Sequence, residues 1–336
     1  MKPAPLDRIR RLIFTAERTV VCESFTLPSP GPQQVLVRAR TTLMSTGTET
    51  IAYGRKFDPG THWDNWVKYP FHPGYALVGQ VVTTGAEVTS LAAGDWVVCR
   101  TSHASHTVID ALNCFRIPVG VEPHDASWFA LAKIASMGAR AAPMVLGDRT
   151  LIIGAGPIGQ MSLRWAVAAG AHHVAVLDTQ GWRLPLATAG GATHVIQQPV
   201  AEAASAVAAI FGQSGPNLVV DATGHHDVLP HALKLCGYQG TVLVIGDTGR
   251  PALQHLTPDV VTRGLRIVGA HDGNETAGWN SQRIIPLFFS LVAGGRFDLA
   301  GLITHTFAPE QCSQAYELAD TGRGKTMGIC FDWSAS

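Results

Sequence analysis

Six consecutive residues constrain this chain more than any others: Gly154-Ala155-Gly156-Pro157-Ile158-Gly159, a Gly-x-Gly-x-x-Gly loop. They follow the apolar run Thr150-Leu151-Ile152-Ile153 and open a helical stretch from Ile158 to Ala169. Glycine triplets are common in turns, but between a strand and a helix each glycine has a task. The first makes a tight turn, the second lets a pyrophosphate approach the backbone, and the third lets helix and strand pack closely. The helix N-terminus then offers free N–H groups and a partial positive charge to phosphates. An acidic residue ending the next strand completes the pattern, and Asp178 stands 19 residues past Gly159 at the end of His173-Val174-Ala175-Val176-Leu177-Asp178. A carboxylate there accepts hydrogen bonds from ribose hydroxyls and repels a 2′-phosphate, so NAD is expected over NADP.

Around the loop, strand and helix patterns alternate. Asp125 to Ala142 is Ala-rich and reads as a helix; Leu218-Val219-Val220-Asp221 and Thr241-Val242-Leu243-Val244-Ile245 are further strands at βαβ spacing. This alternation predicts an α/β fold with a doubly wound parallel sheet. The first hundred residues differ: Val35 to Arg40, Ala76 to Val82 and Trp96 to Cys99 are short strands between Gly/Pro turns, the pattern of a small barrel or sandwich. A last stretch from Leu302 carries a helix over Pro309 to Ala319 and a closing strand near Met327 to Phe331.

Composition removes several classes of function. Lys+Arg and Asp+Glu are equal at 25 each, so no global basic field exists to hold nucleic acid. Gly, Pro or a charge interrupts every apolar run short of the ~20 residues a membrane helix needs. Met1 to Arg8 lack the apolar core and cleavage site of a secretory signal, and six cysteines without a Cys-x-x-Cys pair read as free thiols. A cytoplasmic protein acting on a small molecule is the expectation.

With a glycine loop in mid-chain and a β-rich region before it, the chain resembles the medium-chain dehydrogenase/reductase superfamily, the zinc alcohol and polyol dehydrogenase group. The resemblance rests on Gly31-Pro32-Gln33-Gln34-Val35-Leu36-Val37, Thr46-Gly47-Thr48-Glu49, Pro73-Gly74-Tyr75, Gly94-Asp95-Trp96-Val97, the dinucleotide loop and Leu302-Ile303-Thr304-His305. It implies a GroES-like catalytic domain over 1–122 and 296–336, a Rossmann domain over 123–295, and hydride transfer at a cleft between them. It also implies an adenine-side role for Arg183 and nicotinamide-side roles for Ala222, Thr223, Ile245 and Gly246. A homodimer or homotetramer through the sheet edge near Leu265-Arg266-Ile267-Val268 is implied as well.

The departures from that family are informative. Its zinc ligands are a Cys in Cys-Gly-Thr-Asp, a His in Gly-His-Glu, and a Cys, Asp or Glu on the helix before the dinucleotide strand. Here those positions hold Thr46, Tyr75 and, by alignment of Ser136 to Ala141 with that helix, Lys133. Thr, Tyr and a protonated Lys are poor zinc ligands, and of the four-cysteine structural zinc loop only Cys99 and Cys114 remain. Neither zinc is expected; a displaced site among His72, His103 and Cys99 is the alternative. In the metal's absence, Tyr75 is the candidate general acid/base. Lys133 would lower its pKa, Thr48 would relay protons, and Thr46 would share the vacated position. The opposing reading has Tyr75 and Lys133 merely filling space, with Lys133 paired to Glu49.

For substrate, the segment from Tyr53 to Tyr69 is rich in aromatics, and in the family it overlies the cleft. Glu49, Tyr53, Trp63, Trp66 and His271 are the candidate substrate contacts, and an aromatic surface suits a sugar or flat ring. Ser45-Thr46-Gly47-Thr48-Glu49, Pro73-Gly74-Tyr75, Ala104-Ser105-His106 and Phe331-Asp332-Trp333 are also similar to hydroxyethyl bacteriochlorophyllide dehydrogenases, which oxidise a secondary alcohol on a flat macrocycle. Three functions stay open: an NAD-dependent secondary-alcohol dehydrogenase, a zinc-free quinone/enoyl-type reductase, and a non-catalytic dinucleotide-binding protein.

Overall fold

The computed structural model describes residues 6–335, with side chains from residue 9 onward. The side chains of Met1 to Arg8, where a secretory signal is not expected, lie outside the described residues.

The chain divides into two compact units, one of residues 1–130 with 302–336 and one of 131–301. In the first, β1 (Leu6–Ala16) and β2 (Thr19–Leu27) form an antiparallel pair. A seven-stranded sheet is built on β3 (Gln34–Met44), β4 (Leu77–Thr84), β5 (Trp96–Cys99), β6 (His106–Asp110) and β7 (Cys114–Arg116). Long β3 pairs antiparallel with both β4 and β6, so its Val35, Val37 and Ala39 are fully enclosed. Two short helices interrupt this sheet, α1 (Thr46–Tyr53) and α2 (His62–Trp66).

The expected helix over Asp125 to Ala142 is two helices, α3 (Pro123–Ala126) and α4 (Phe129–Ala141). The break falls at Ser127, whose hydroxyl donates to the His124 carbonyl at 2.6 Å and so competes with the helical ladder.

The second unit is a six-stranded parallel sheet. It consists of β8 (Arg149–Ile153), β9 (His173–Asp178), β10 (His194–Gln197), β11 (Leu218–Asp221), β12 (Thr241–Val244) and β13 (Arg266–Gly269). Their order is β10-β9-β8-β11-β12-β13. Helices α5 (Pro157–Ala168), α6 (Leu184–Ala189), α7 (Ala204–Phe211), α8 (Val228–Leu235), α9 (Asp259–Thr262) and α10 (Ser281–Ala293) connect or follow these strands. Strand order reverses between β8 and β11, the switch point at which open α/β sheets bind ligands. The core strands β8, β9 and β11 are apolar on both faces, as a covered parallel sheet requires.

The chain then returns to the first unit as β14 (Ile303–Phe307), α11 (Cys312–Thr321) and β15 (Gly328–Asp332). β15 pairs parallel with β14 and antiparallel with β3, joining the last strand of the chain to the third. No helix among the described residues is long and apolar enough to cross a membrane.

Candidate active site

The glycine loop leaves β8 through Gly154, at φ +96°, where an L side chain is strained. Its N–H donates to Leu177 O at 2.8 Å, holding the turn against β9. A Cβ on Gly159 would lie 1.8 Å from Gly154 O, so only glycine lets α5 pack this closely. Gly156 caps α5, with Pro157 in the first turn, and a Cβ built there meets nothing nearer than Arg183 Nη1 at 3.8 Å. The backbone around Gly156 is thus open to a phosphate.

Asp178, buried at the end of β9, accepts from Ala155 N–H through Oδ2 and from Gln180 N–H through Oδ1, both at 2.7 Å. Arg183 Nη1 lies 3.5 Å from Oδ2. The carboxylate therefore braces the loop, with further lone pairs left for ribose hydroxyls. Ala222 N–H donates to Ile153 O at 3.0 Å, while Ile245 and Gly246 N–H both donate to Asp221 O. Thr223 donates through N–H and Oγ1 to Asp221 Oδ1, at 3.0 and 2.7 Å. Burial raises the Asp221 pKa despite these bonds. The cofactor candidates on β8, β9, β11 and β12 thus gather at the carboxyl ends of neighbouring strands, and Ile158 continues the first turn of α5.

Lys133, on α4, is almost wholly buried. Its ammonium donates to Asp272 O and Oδ1, both at 2.7 Å, and lies 2.9 Å from Glu275 Oε1. Trp279 Nε1 donates to Ser136 O, and Arg140 covers the Trp279 ring at 5.2 Å. One side of α4 thus anchors the segment that follows β13. His271 sits exposed in that segment, its Nδ1 accepting from Gly273 N–H at 3.0 Å.

In the first unit, Tyr75 OH donates to Thr48 Oγ1 at 3.4 Å. Burial pushes the Tyr75 phenol up to about 12; hydrogen bonding to Ser45 and Thr48 opposes this, the Glu49 carboxylate adds to it, and Arg100 opposes it. The cation over the Tyr75 ring is Arg100, at 4.9 Å, a residue that sequence reasoning missed. Thr46 is buried, and its carbonyl accepts from Thr50 Oγ1 at 2.6 Å.

Glu49, expected among the substrate contacts, is a buried hydrogen-bond acceptor. Its Oε1 takes Ser45 N–H at 2.7 Å, and its Oε2 lies 3.0 Å from His103 Nε2 and takes Tyr316 OH at 2.5 Å. His103 Nδ1 lies 2.7 Å from Thr42 Oγ1, which also takes Trp333 Nε1 at 3.0 Å. Tyr53 is likewise core: its OH donates to Arg18 O and its ring packs on Phe14 and Tyr316. Trp63 is 4% exposed, so of the aromatic candidates only Trp66, 50% exposed and 5.7 Å from the Trp63 ring, is open to a ligand.

The donor set does not suit zinc. Thr46 offers a hydroxyl, Tyr75 a phenol held protonated, and Lys133 an ammonium satisfied by acids. The displaced alternative does not assemble either, since both His103 ring nitrogens are engaged and Cys99 faces Cys114. Among the described residues, the group of side chains close enough to share an ion is His225, His226 and Asp227.

Comparison with known proteins agrees with this architecture. The alcohol dehydrogenase GroES-like domain profile matches residues 31–152, and the zinc-binding dehydrogenase profile matches 157–284. The chain is 30% identical to the L-threonine 3-dehydrogenase of Symbiobacterium thermophilum over 344 residues, covering 92% of this chain and 93% of that protein. It is 27% identical to the Bacillus velezensis L-threonine 3-dehydrogenase over 338 residues, 90% and 93% of the two chains. Among solved structures, an Escherichia coli oxidoreductase/dehydrogenase of unknown specificity superposes with a TM-score of 0.83 at 19% identity, covering 97% and 99%. Galactitol-1-phosphate dehydrogenase from Escherichia coli gives 0.80 at 19%, covering 96% and 99%. A GroES-like unit followed by a Rossmann sheet, matched along its length by such relatives, makes this chain a member of the zinc-binding dehydrogenase family within the medium-chain dehydrogenase/reductases, an NAD(P)-dependent oxidoreductase of the class acting on CH–OH groups.

Proposed function

We propose that this protein interconverts a secondary alcohol and its ketone with NAD, using Tyr75 in place of a metal at the reacting oxygen. The observation that carries this reading is the Tyr75–Thr48 hydroxyl pair, which stands on two segments where the family places metal-site residues. With its pKa pushed up to about 12, the phenol is a proton donor at neutral pH. Tyr75 would give its proton to a carbonyl oxygen, and Thr48 Oγ1 would pass a replacement to it. Gly154 to Gly159, Asp178 and Arg183 would hold the dinucleotide, whose nicotinamide supplies reversible hydride transfer. The Asp178 carboxylate favours NAD over NADP.

Support for a secondary alcohol comes from the named relatives and from the motifs shared with the bacteriochlorophyllide enzymes. The half-exposed Trp66 supplies a surface for a ring. The six free cysteines fit a reducing compartment, the cytoplasm. Exposed β13 ends the parallel sheet and offers an edge for a homodimer or homotetramer, which a sizing column tests.

The deciding experiment is metal analysis by mass spectrometry of protein prepared without added zinc or a histidine tag. It is paired with NADH formation from L-threonine, 2,3-butanediol and galactitol 1-phosphate. Less than about a tenth of an equivalent of zinc, with turnover intact, is the expected result; activity that tracks bound zinc overturns the reading.

A further inference from the structure

The Glu49–His103 pair is out of place if it serves packing alone. A carboxylate 2% exposed and an imidazole 0% exposed are costly to bury, and apolar residues of similar volume fill such a core at no such cost. Every polar atom of the pair is nevertheless satisfied. An ionised carboxylate only accepts, so the hydrogen bond at His103 Nε2 runs toward Glu49, while the Thr42 hydroxyl stands at His103 Nδ1 and also accepts from Trp333 Nε1. Glu49 then accepts from Ser45 N–H, His103 and Tyr316 OH.

The two residues belong to different segments, and each segment carries one half of the Tyr75–Thr48 pair. Glu49 lies in α1, one residue from Thr48, and its Oε1 fixes Ser45 at the helix start. His103 is bonded through its backbone N–H to Pro73 O at 2.8 Å. Its ring lies so close to Gly74 that a Cβ there would sit 2.7 Å from His103 Cγ and Cδ2. Gly74, at φ +93°, is the residue immediately before Tyr75.

We infer that Glu49 and His103 are positioning residues, whose mutual hydrogen bond cross-links the helix bearing Thr48 to the loop bearing Tyr75 and so fixes where the phenol points. This deepens the Tyr75 reading and rests on it for its catalytic meaning, though not for its geometry. The chain has five tyrosines, so 3-fluorotyrosine labelling gives five fluorine resonances, of which Tyr75→Phe identifies one.

In Glu49→Gln and in His103→Gln, the Tyr75 resonance should broaden at least twofold or split. Tyr238, 71% exposed and in the other unit, should hold its shift. The double variant should be no worse than either single, because one cross-link can be lost only once. With whichever of the three alcohols above gives most NADH, kcat should fall tenfold or more in each single variant. The NADH Kd should stay within twofold. If either variant does not fold, Thr42→Val, which removes the hydroxyl shared by His103 Nδ1 and Trp333 Nε1, is read in the same way, with Trp333→Phe as the control for the indole contact. A Tyr75 resonance unchanged in shift and width in the folded variants overturns the inference, as does broadening spread equally to Tyr238. Full kcat in Tyr75→Phe would instead remove the general-acid reading and leave the fluorine result to decide the cross-link.

Discussion

The Lys133 ammonium lies 2.7 Å from both the carbonyl oxygen and Oδ1 of Asp272, a residue far along the chain in the segment after β13. That relationship makes Lys133 an anchor of its own unit. Lys133→Met should lower stability by about 1–3 kcal/mol, because Asp272 and Glu275 lose a buried partner while keeping some water contact. Thermal unfolding reads this as a loss of several degrees. The pH profile of turnover should keep its shape, and a profile displaced by a full unit would return Lys133 to the chemistry.

Tyr75→Phe should lower kcat at saturating substrate by about 10²–10⁴-fold, the usual contribution of general acid–base catalysis. A variant keeping more than about a tenth of wild-type kcat contradicts this role. The direction of pH dependence follows from the raised phenol pKa of about 12. Reduction of a ketone needs the protonated form and should be flat across neutral pH. Oxidation of an alcohol needs the phenolate and should climb by about tenfold per pH unit between 7 and 10. Stopped-flow measurement of both directions checks the asymmetry.

Gly159→Ala tests the cradle. The added Cβ would meet Gly154 O at 1.8 Å, so strand and helix must separate. NADH affinity, followed by fluorescence titration, should weaken by more than about tenfold, since the phosphate-binding turn loses its shape. Equal affinity would show that the dinucleotide does not use this loop.

Asp178 combines two tasks in one carboxylate. Wild-type protein should prefer NAD to NADP by at least about tenfold in kcat/KM, and Asp178→Ala should narrow that ratio. The same substitution leaves the N–H groups of Ala155 and Gln180 without acceptors. It should therefore cost about 1–3 kcal/mol as well. A narrowed ratio with unchanged unfolding temperature would separate the tasks.

Much of the Rossmann half was readable from residues alone. The strands His173–Asp178 and Leu218–Asp221 match the sequence pattern to the residue, because a parallel strand covered on both faces is a nearly unbroken apolar run. The β1–β2 pair and α1 were harder. Leu6–Ala16 carries three arginines through its alternation, and Thr46–Tyr53 is a helix of threonines and a glycine, poor helix formers held by tertiary contacts. In the site, residue types at the positions of the family's metal ligands were visible, but partners were not. The Lys133–Asp272 and Glu49–Tyr316 contacts join residues far apart in sequence. Nor does an aromatic cluster reveal which ring faces inward: Tyr53 and Trp63 pack in the core while Trp66 stays outside.

The pairing of β15 with β3 sets an order on synthesis. As the chain leaves the ribosome, β3 emerges early; β6 covers one edge only along Gln34 to Arg38, and the rest of that edge, Thr41 to Met44, has no neighbour until residues 329–332 follow. At ordinary elongation rates that wait is on the order of tens of seconds. The parallel sheet, continuous in sequence from β8 to β13, has all its strands before then. The dinucleotide-binding unit can thus mature while the unit bearing Tyr75 is still open along Thr41 to Met44 of β3. A nascent chain stalled before β14 would expose an unpaired strand edge, the surface that recruits chaperones or aggregates. Truncation at residue 302 should therefore damage the unit bearing Tyr75, not merely remove a tail.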